Sequence, residues 1–255
     1  MQANPKRLTF RPAKGLSTLR CVGDAAFKRE EEAGHSLRGA LFLRSFGGIT
    51  TKAEGQTTGG VTASSSGSQN NQKSTGGITT GCSGFAKSAV VHIVDAVCKS
   101  QRHVTRSTFS SELLSACDTI DHGMLLALSL HEFSKGPQST FSARQLREFG
   151  GWDVKLALYV DAMSVYAAVT ATFIKIPAEK SLLSHIQYLR ELLDTKVLEA
   201  LAWIDTRDMV ADGLTKGAVE RDALHECMNG SWKVQHEAKI WSAPKQLRPK
   251  HLLPS

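Results

Sequence analysis

The sequence predicts an α/β fold, a mixed five-stranded sheet flanked by helices. Three observations carry this reading. Strand-forming runs occupy 18–27, 37–45 and 89–98, the last dominated by Val90, Val91, Ile93, Val94 and Val97. A long series of apolar residues spaced by three and four begins at Phe109. Beyond it, apolar strand-like runs alternate with amphipathic helical ones, the order expected of a sheet covered by helices.

The elements follow in order. The first two strands are short and adjacent, and each alternates apolar with other residues. The helix after the third strand buries Phe109, Leu113, Cys117, Ile120, Met124 and Leu128 on one stripe. A polar, basic connection with Lys135, Arg144 and Arg147 leads to a fourth strand at 154–160. A helix is expected at 162–172 and another at 178–193, the second through Leu182, Ile186, Leu189 and Leu193. A fifth strand at 197–204 and a last helix at 212–227 complete the pattern.

Domain organisation comes from composition. A basic arm or linker is expected over 1–17, a folded domain over 18–230 and a basic tail over 231–255 that carries Lys233, Lys239, Lys245, Arg248 and Lys250. The segment 47–84 is rich in Gly, Ser, Thr, Gln and Asn, with too little apolar surface to offset chain entropy, and is expected to be a disordered insertion. Gly47-Gly48-Ile49-Thr50-Thr51 recurs as Gly76-Gly77-Ile78-Thr79-Thr80, so removing 47–75 rejoins the chain without loss. A duplication or a retained intron at a hairpin tip explains this, as does chance in a Gly/Thr-rich tract.

Bulk properties narrow the function classes. With 255 residues, 41% of them hydrophobic, the chain can bury one substantial core and is no collagen, coiled coil or disulfide scaffold. Cys21, Cys82, Cys98, Cys117 and Cys227 are odd in number and scattered, which fits free thiols in a reducing compartment. No apolar run approaches the ~20 residues of a membrane helix, and the N-terminus lacks a secretory apolar stretch. The expectation is an intracellular protein, cytoplasmic rather than nuclear, with no membrane partner. The first 23 residues are basic and acid-free, as in a transit peptide, but a linker from a longer polyprotein is preferred. A net charge of +7 is compatible with a polyanionic partner.

The chemistry lies in four carboxylates, Asp24, Glu112, Asp161 and Asp212. Each has an ordinary structural explanation taken singly, because Asp caps helices and Glu in a first helical turn is stabilised by the dipole. Asp161, however, ends an apolar strand, where open sheets bind ligands. Asp24 lies inside a strand, where an acid is disfavoured without a partner. Acids converging from separate elements suit a pair of hard divalent ions about 4 Å apart that clamp the attacking and leaving oxygens of a phosphodiester. Asp205 and Asp208 are expected at the surface or in caps, and Asp118 and Asp121 on the solvated face of the long helix.

Three strings resemble the RNase H domain of Ty1/copia-type retrotransposon Pol polyproteins. Val104-Thr105-Arg106-Ser107-Thr108-Phe109-Ser110-Ser111-Glu112-Leu113 is similar to that family's helix with the catalytic Glu. Leu158-Tyr159-Val160-Asp161-Ala162-Met163-Ser164 resembles its strand-end Asp motif. Thr206-Arg207-Asp208-Met209-Val210-Ala211-Asp212-Gly213-Leu214-Thr215-Lys216 resembles its C-terminal Ala-Asp-x-x-Thr-Lys signature. The match around Asp24 is shorter.

The resemblance spans roughly 18–230 and implies an RNase H-like fold. It also implies metal-dependent endonucleolytic cleavage of RNA in RNA–DNA hybrids during reverse transcription. Asp24, Glu112, Asp161 and Asp212 would be both catalytic residues and ligands of two Mg2+ ions, with Mn2+ as a substitute. Arg106 and Ser164, close to the acidic motifs, are the candidates for nucleic-acid contact. The implied partners are the RNA–DNA hybrid and the reverse transcriptase region of a parent polyprotein. The competing readings are a catalytically inactive RNase H-like remnant that binds nucleic acid or serves structure, and a transposase or integrase core. The second typically carries its Glu late, whereas Glu112 comes second here.

Overall fold

A computed structural model of the chain describes residues 7–10, 17–27, 36–46, 88–101, 105–217 and 219–243. The insertion expected at 47–84, with its direct repeat, and most of the arm at 1–17 lie outside the described residues. Seven strands form one mixed sheet in the order β6-β3-β2-β1-β4-β5-β7. They are β1 (Ser17–Ala26), β2 (Leu37–Phe46), β3 (Ser88–Ser100), β4 (Val154–Val160), β5 (Ala200–Ile204), β6 (Ser231–Lys233) and β7 (Ala238–Trp241). The helices are α1 (Thr108–Lys135), α2 (Thr140–Phe149), α3 (Met163–Thr170), α4 (Leu182–Asp194), α5 (Asp212–Thr215) and α6 (Asp222–Met228).

The five strands expected from sequence form the middle of this sheet. β1 pairs antiparallel with β2 and β2 with β3, whereas β1–β4 and β4–β5 are parallel. The count of five is corrected to seven, because β6 pairs with β3 and β7 with β5 inside the segment read as a basic tail. These edge strands are three and four residues long. Strands so short give almost no periodicity to read, and the lysines around them dominate the composition.

Both faces of the sheet are covered, so most residues of its central strands are buried. Leu19 and Cys21 of β1, with Leu156, Leu158 and Val160 of β4, face α1, α3 and α4. Val22, Ala157 and Tyr159 face the opposite way, toward α5, α6 and the fully buried Trp232 of β6. The alternation is the two-residue period of a strand, and burial on both sides explains why it reads as continuous apolar sequence.

α1 begins at the N-cap Ser107, which forms a capping box with Ser110. It then crosses β1 closely. A Cβ on Gly23 would stand 2.5 Å from Thr119 Oγ1, and one on Gly123 would stand 2.5 Å from Cys21 Sγ, so glycine on each partner permits the approach. α1 is also long and apolar enough by composition to cross a membrane, contrary to the sequence expectation, and half of its most apolar stretch is buried in the fold. Leu, Ile, Met, Ala and Cys raise its apolar average, while interspersed Ser, Gly and Asp prevent a continuous run of large apolar residues.

Two more differences concern helices. The connection after α1 contains α2, capped by Ser139, none of whose residues is buried. Its pattern carries no buried stripe, which is why the sequence reads as a connection. The helix expected at 212–227 is two helices, α5 and α6, interrupted because the backbone turns extended at Lys216 (φ −111°, ψ 124°).

Candidate metal centre

β1 and β4 run parallel with Val22 opposite Tyr159, and two residues further along each strand stand Asp24 and Asp161. Two of the four acids thus meet at the carboxyl ends of adjacent parallel strands, where open α/β sheets expose ligand crevices. The third, Asp212, opens α5, which lies against β1 and β2. Gly39 of β2 makes that contact possible, since a Cβ there would stand 2.6 Å from Thr215 Cγ2 and 3.3 Å from Leu214 Cβ.

Asp24, Asp161 and Asp212 each place a carboxylate oxygen within 4.8 Å of the others, an arrangement able to hold a metal ion. Glu112, from the first turns of α1, stands beside this trio rather than within it. Its proximity is electrostatic. Burial first, then the charges of Asp24 and Asp161, raise its pKa to about 9, with Lys216 and a hydrogen bond from the Ala25 backbone opposing. Asp212 is raised to about 6, chiefly by burial, with the Lys216 hydrogen bond opposing and Asp24 adding to the rise. Burial and then Asp24 also push Asp161 upward. The cluster holds more negative charge than its surroundings neutralise.

The surrounding groups hold the carboxylates in place. The Thr215 hydroxyl donates to Asp24 Oδ2 in the core of the site. Ser115 Oγ donates to the Asp24 carbonyl at 2.9 Å, which ties α1 to the end of β1. Trp203 Nε1 donates to the Asp161 carbonyl at 2.7 Å, and Thr206 hydrogen-bonds the Asp161 carboxylate. Lys216 Nζ lies 2.7 Å from Asp212 Oδ1 and 3.6 Å from Asp24 Oδ1. Asp24 is fully buried, and its Oδ1 accepts no hydrogen bond. A buried carboxylate oxygen left without a donor is costly unless a cation serves it. Hard oxygen donors with such an orphan fit a divalent ion of the Mg2+ or Mn2+ type.

Comparison of the chain with protein-family models, with curated proteins and with solved structures gives no match. The site therefore rests on its own geometry.

All four sequence-selected acids come to one end of the sheet, three of them in mutual contact range. Arg106 is exposed immediately before the N-cap of α1, and Ser164 is exposed in the first turn of α3. Sequence reasoning missed the supporting residues Ser115, Thr206, Thr215 and Lys216. Thr215 and Lys216 were visible as neighbours of Asp212, but their direction depends on α5 being a single turn.

Asp205 caps the turn at Thr206–Asp208, as expected. Asp208, expected at the surface or in a cap, is instead buried, where it accepts from His236 N at 2.8 Å and pairs with His236 Nδ1 at 3.0 Å. That partner lies in the segment read as a tail. Asp118 pairs with Arg38, and Asp121 accepts from the Tyr188 hydroxyl, so the outer face of α1 is engaged at both positions.

Proposed function

We propose that the chain is a divalent-metal-dependent endonuclease of the RNase H type, acting on the RNA strand of RNA–DNA hybrids. The observation that carries this reading is the convergence of Asp24, Asp161 and Asp212 oxygens within 4.8 Å, with Glu112 beside them, at the carboxyl ends of parallel strands. The central run of the sheet, three antiparallel strands followed by two parallel ones, supports an RNase H-like fold.

Asp24, Asp161, Asp212 and Glu112 would hold the metal, Mg2+ or Mn2+. A bound divalent pair would supply Lewis acidity and charge neutralisation at the scissile phosphate. The chain's own contribution is positioning. Thr215 and Ser115 fix Asp24, while Trp203 and Thr206 fix Asp161, so the carboxylates need little rearrangement when a substrate arrives. Beside Asp212 a hollow of about 340 Å³, lined by Thr206, Arg207, Gly213, Glu220 and Leu224 among others, leaves the cluster approachable from that side. Exposed Arg106 and Ser164, at the starts of α1 and α3, would meet phosphate and sugar oxygens. An intracellular setting as part of a retroelement polyprotein accompanies this reading.

The test offers the purified chain with Mg2+ three end-labelled substrates: an RNA–DNA hybrid, the matching DNA duplex and single-stranded RNA. Internal cuts confined to the RNA of the hybrid support the proposal. Cuts in the DNA duplex favour a transposase-like core, and binding of the hybrid with no cut by folded protein favours an inactive remnant.

A further inference from the structure

Lys216 is the one cation whose ion pairs with the metal-centre carboxylates are resolved among the described residues, and its placement follows from the shortness of α5. The helix makes a single turn from Asp212 to Thr215. The fourth residue on therefore returns over Asp212, and the extended backbone at Lys216 ends the helix there. One turn thus delivers a carboxylate, a hydroxyl and an ammonium to the same spot: Asp212, Thr215 on Asp24, and Lys216 Nζ between Asp212 Oδ1 and Asp24 Oδ1.

The Asp24 oxygen facing Nζ is the buried one that accepts no hydrogen bond, at 3.6 Å from the ammonium. The ammonium neutralises this oxygen without satisfying it. The Lys216 side chain remains about one-third exposed, so it has a way out of the cluster. Two cations cannot share the same two carboxylates without strong mutual repulsion.

We infer that Lys216 is the built-in counter-ion of the carboxylate cluster in the metal-free protein, exchanges with the incoming divalent ion, and then donates to a phosphate oxygen of the substrate. The inference rests on the metal-nuclease reading and adds a positioning residue to it. The hydrogen bond to Asp212 and the pairing with Asp24 hold the ammonium in the cluster, and a lysine released toward solvent is an ordinary cation at neutral pH, suited to a phosphate.

The experiment follows acylation of Lys216 by an amine-reactive ester, read by peptide mass spectrometry on the full chain, with and without saturating Mg2+. Exposed Lys155 on β4 serves as an internal standard. Calorimetry with Mg2+ alone reports binding independently. Lys216 should be acylated slowly without Mg2+ and at least about tenfold faster with it, while Lys155 is unchanged. Lys216→Gln should bind Mg2+ about tenfold more tightly, because a competing positive charge is gone. The same variant should raise KM for the hybrid, and Lys216→Arg should restore KM.

If Mg2+ binds the wild type and Lys216 stays protected, the exchange is overturned while the metal centre stands. Unchanged or weaker Mg2+ binding by Lys216→Gln overturns it as well, and an unchanged KM removes the phosphate contact. If calorimetry shows no Mg2+ binding, the nuclease reading and the inference fall together.

Discussion

Ionisation of Glu112 opposes the fold, because burial and the neighbouring acids favour its neutral form. The side chain is held protonated in the folded chain up to about pH 9, whereas a Glu in an unfolded chain ionises near pH 4.3. Between those values the unfolded chain is the one that has lost the proton, so stability is full below the unfolded pKa and declines as pH rises toward 9. Asp212, raised to about 6, adds to the decline at the lower end of that window. Metal-free protein should therefore lose Tm from about pH 5 to 9. Glu112→Gln should flatten that loss and be more stable than wild type at pH 8, although it should bind Mg2+ more weakly. A Tm profile that falls equally in both proteins would remove Glu112 as its cause. The thiols show the same burial: Cys117 and Cys227 are raised to about 12, mainly by desolvation, while Cys98 is exposed. Among these three, only Cys98 should react quickly with a thiol reagent in native protein.

At the scale of elements, the site depends on how closely α5 sits on β2. Replacing Gly39 by Ala places a methyl 2.6 Å from Thr215 Cγ2 and 3.3 Å from Leu214 Cβ. Thr215 is held by its bond to Asp24, so the helix must lift. Gly39→Ala should cost ~1–3 kcal/mol by chemical denaturation and weaken Mg2+ binding, since Asp212 moves with the helix. Wild-type metal affinity in a folded Gly39→Ala protein would show that α5 need not sit where it does.

The elements that hold the acids were legible because each has a strong local signature. β4 is an apolar run broken only by Lys155 and followed by Asp161, and α1 keeps its three-and-four spacing for most of its length. α5 was not legible as a separate turn. Its end depends on Lys216 folding back onto Asp24, a residue far away in sequence, and no local pattern encodes that. The convergence of the acids was expected from their types, from the strand end at Asp161 and from the resemblance carried by the three strings. The support from Ser115 and Trp203 depends on tertiary contacts alone.

For the whole molecule, the sheet's edges decide where the folded unit stops. The sequence places the boundary near 230, but Trp232 is 1% exposed and packs against Tyr159, with ring centroids 5.1 Å apart. Arg20 stacks over the same indole at 5.0 Å. A chain ending at residue 230 should lose more than the ~3–5 kcal/mol typical of removing one buried aromatic, because the edges of β3 and β5 are uncovered too. Urea denaturation of that truncation beside one ending at 243 measures this. Equal stability would return the boundary to 230.

Most direct for the account as a whole is cleavage of a labelled RNA–DNA hybrid by wild type and by Asp161→Asn with Mg2+, alongside a chelator control. An amide keeps the size of the side chain but cannot supply the carboxylate's charge at the strand end. The account predicts RNA cuts by wild type that vanish on chelation and fall more than ~100-fold in the folded variant, since even outer-shell changes at metal sites cost 10–100-fold. Undiminished cutting by Asp161→Asn, or cutting that survives the chelator, would contradict it.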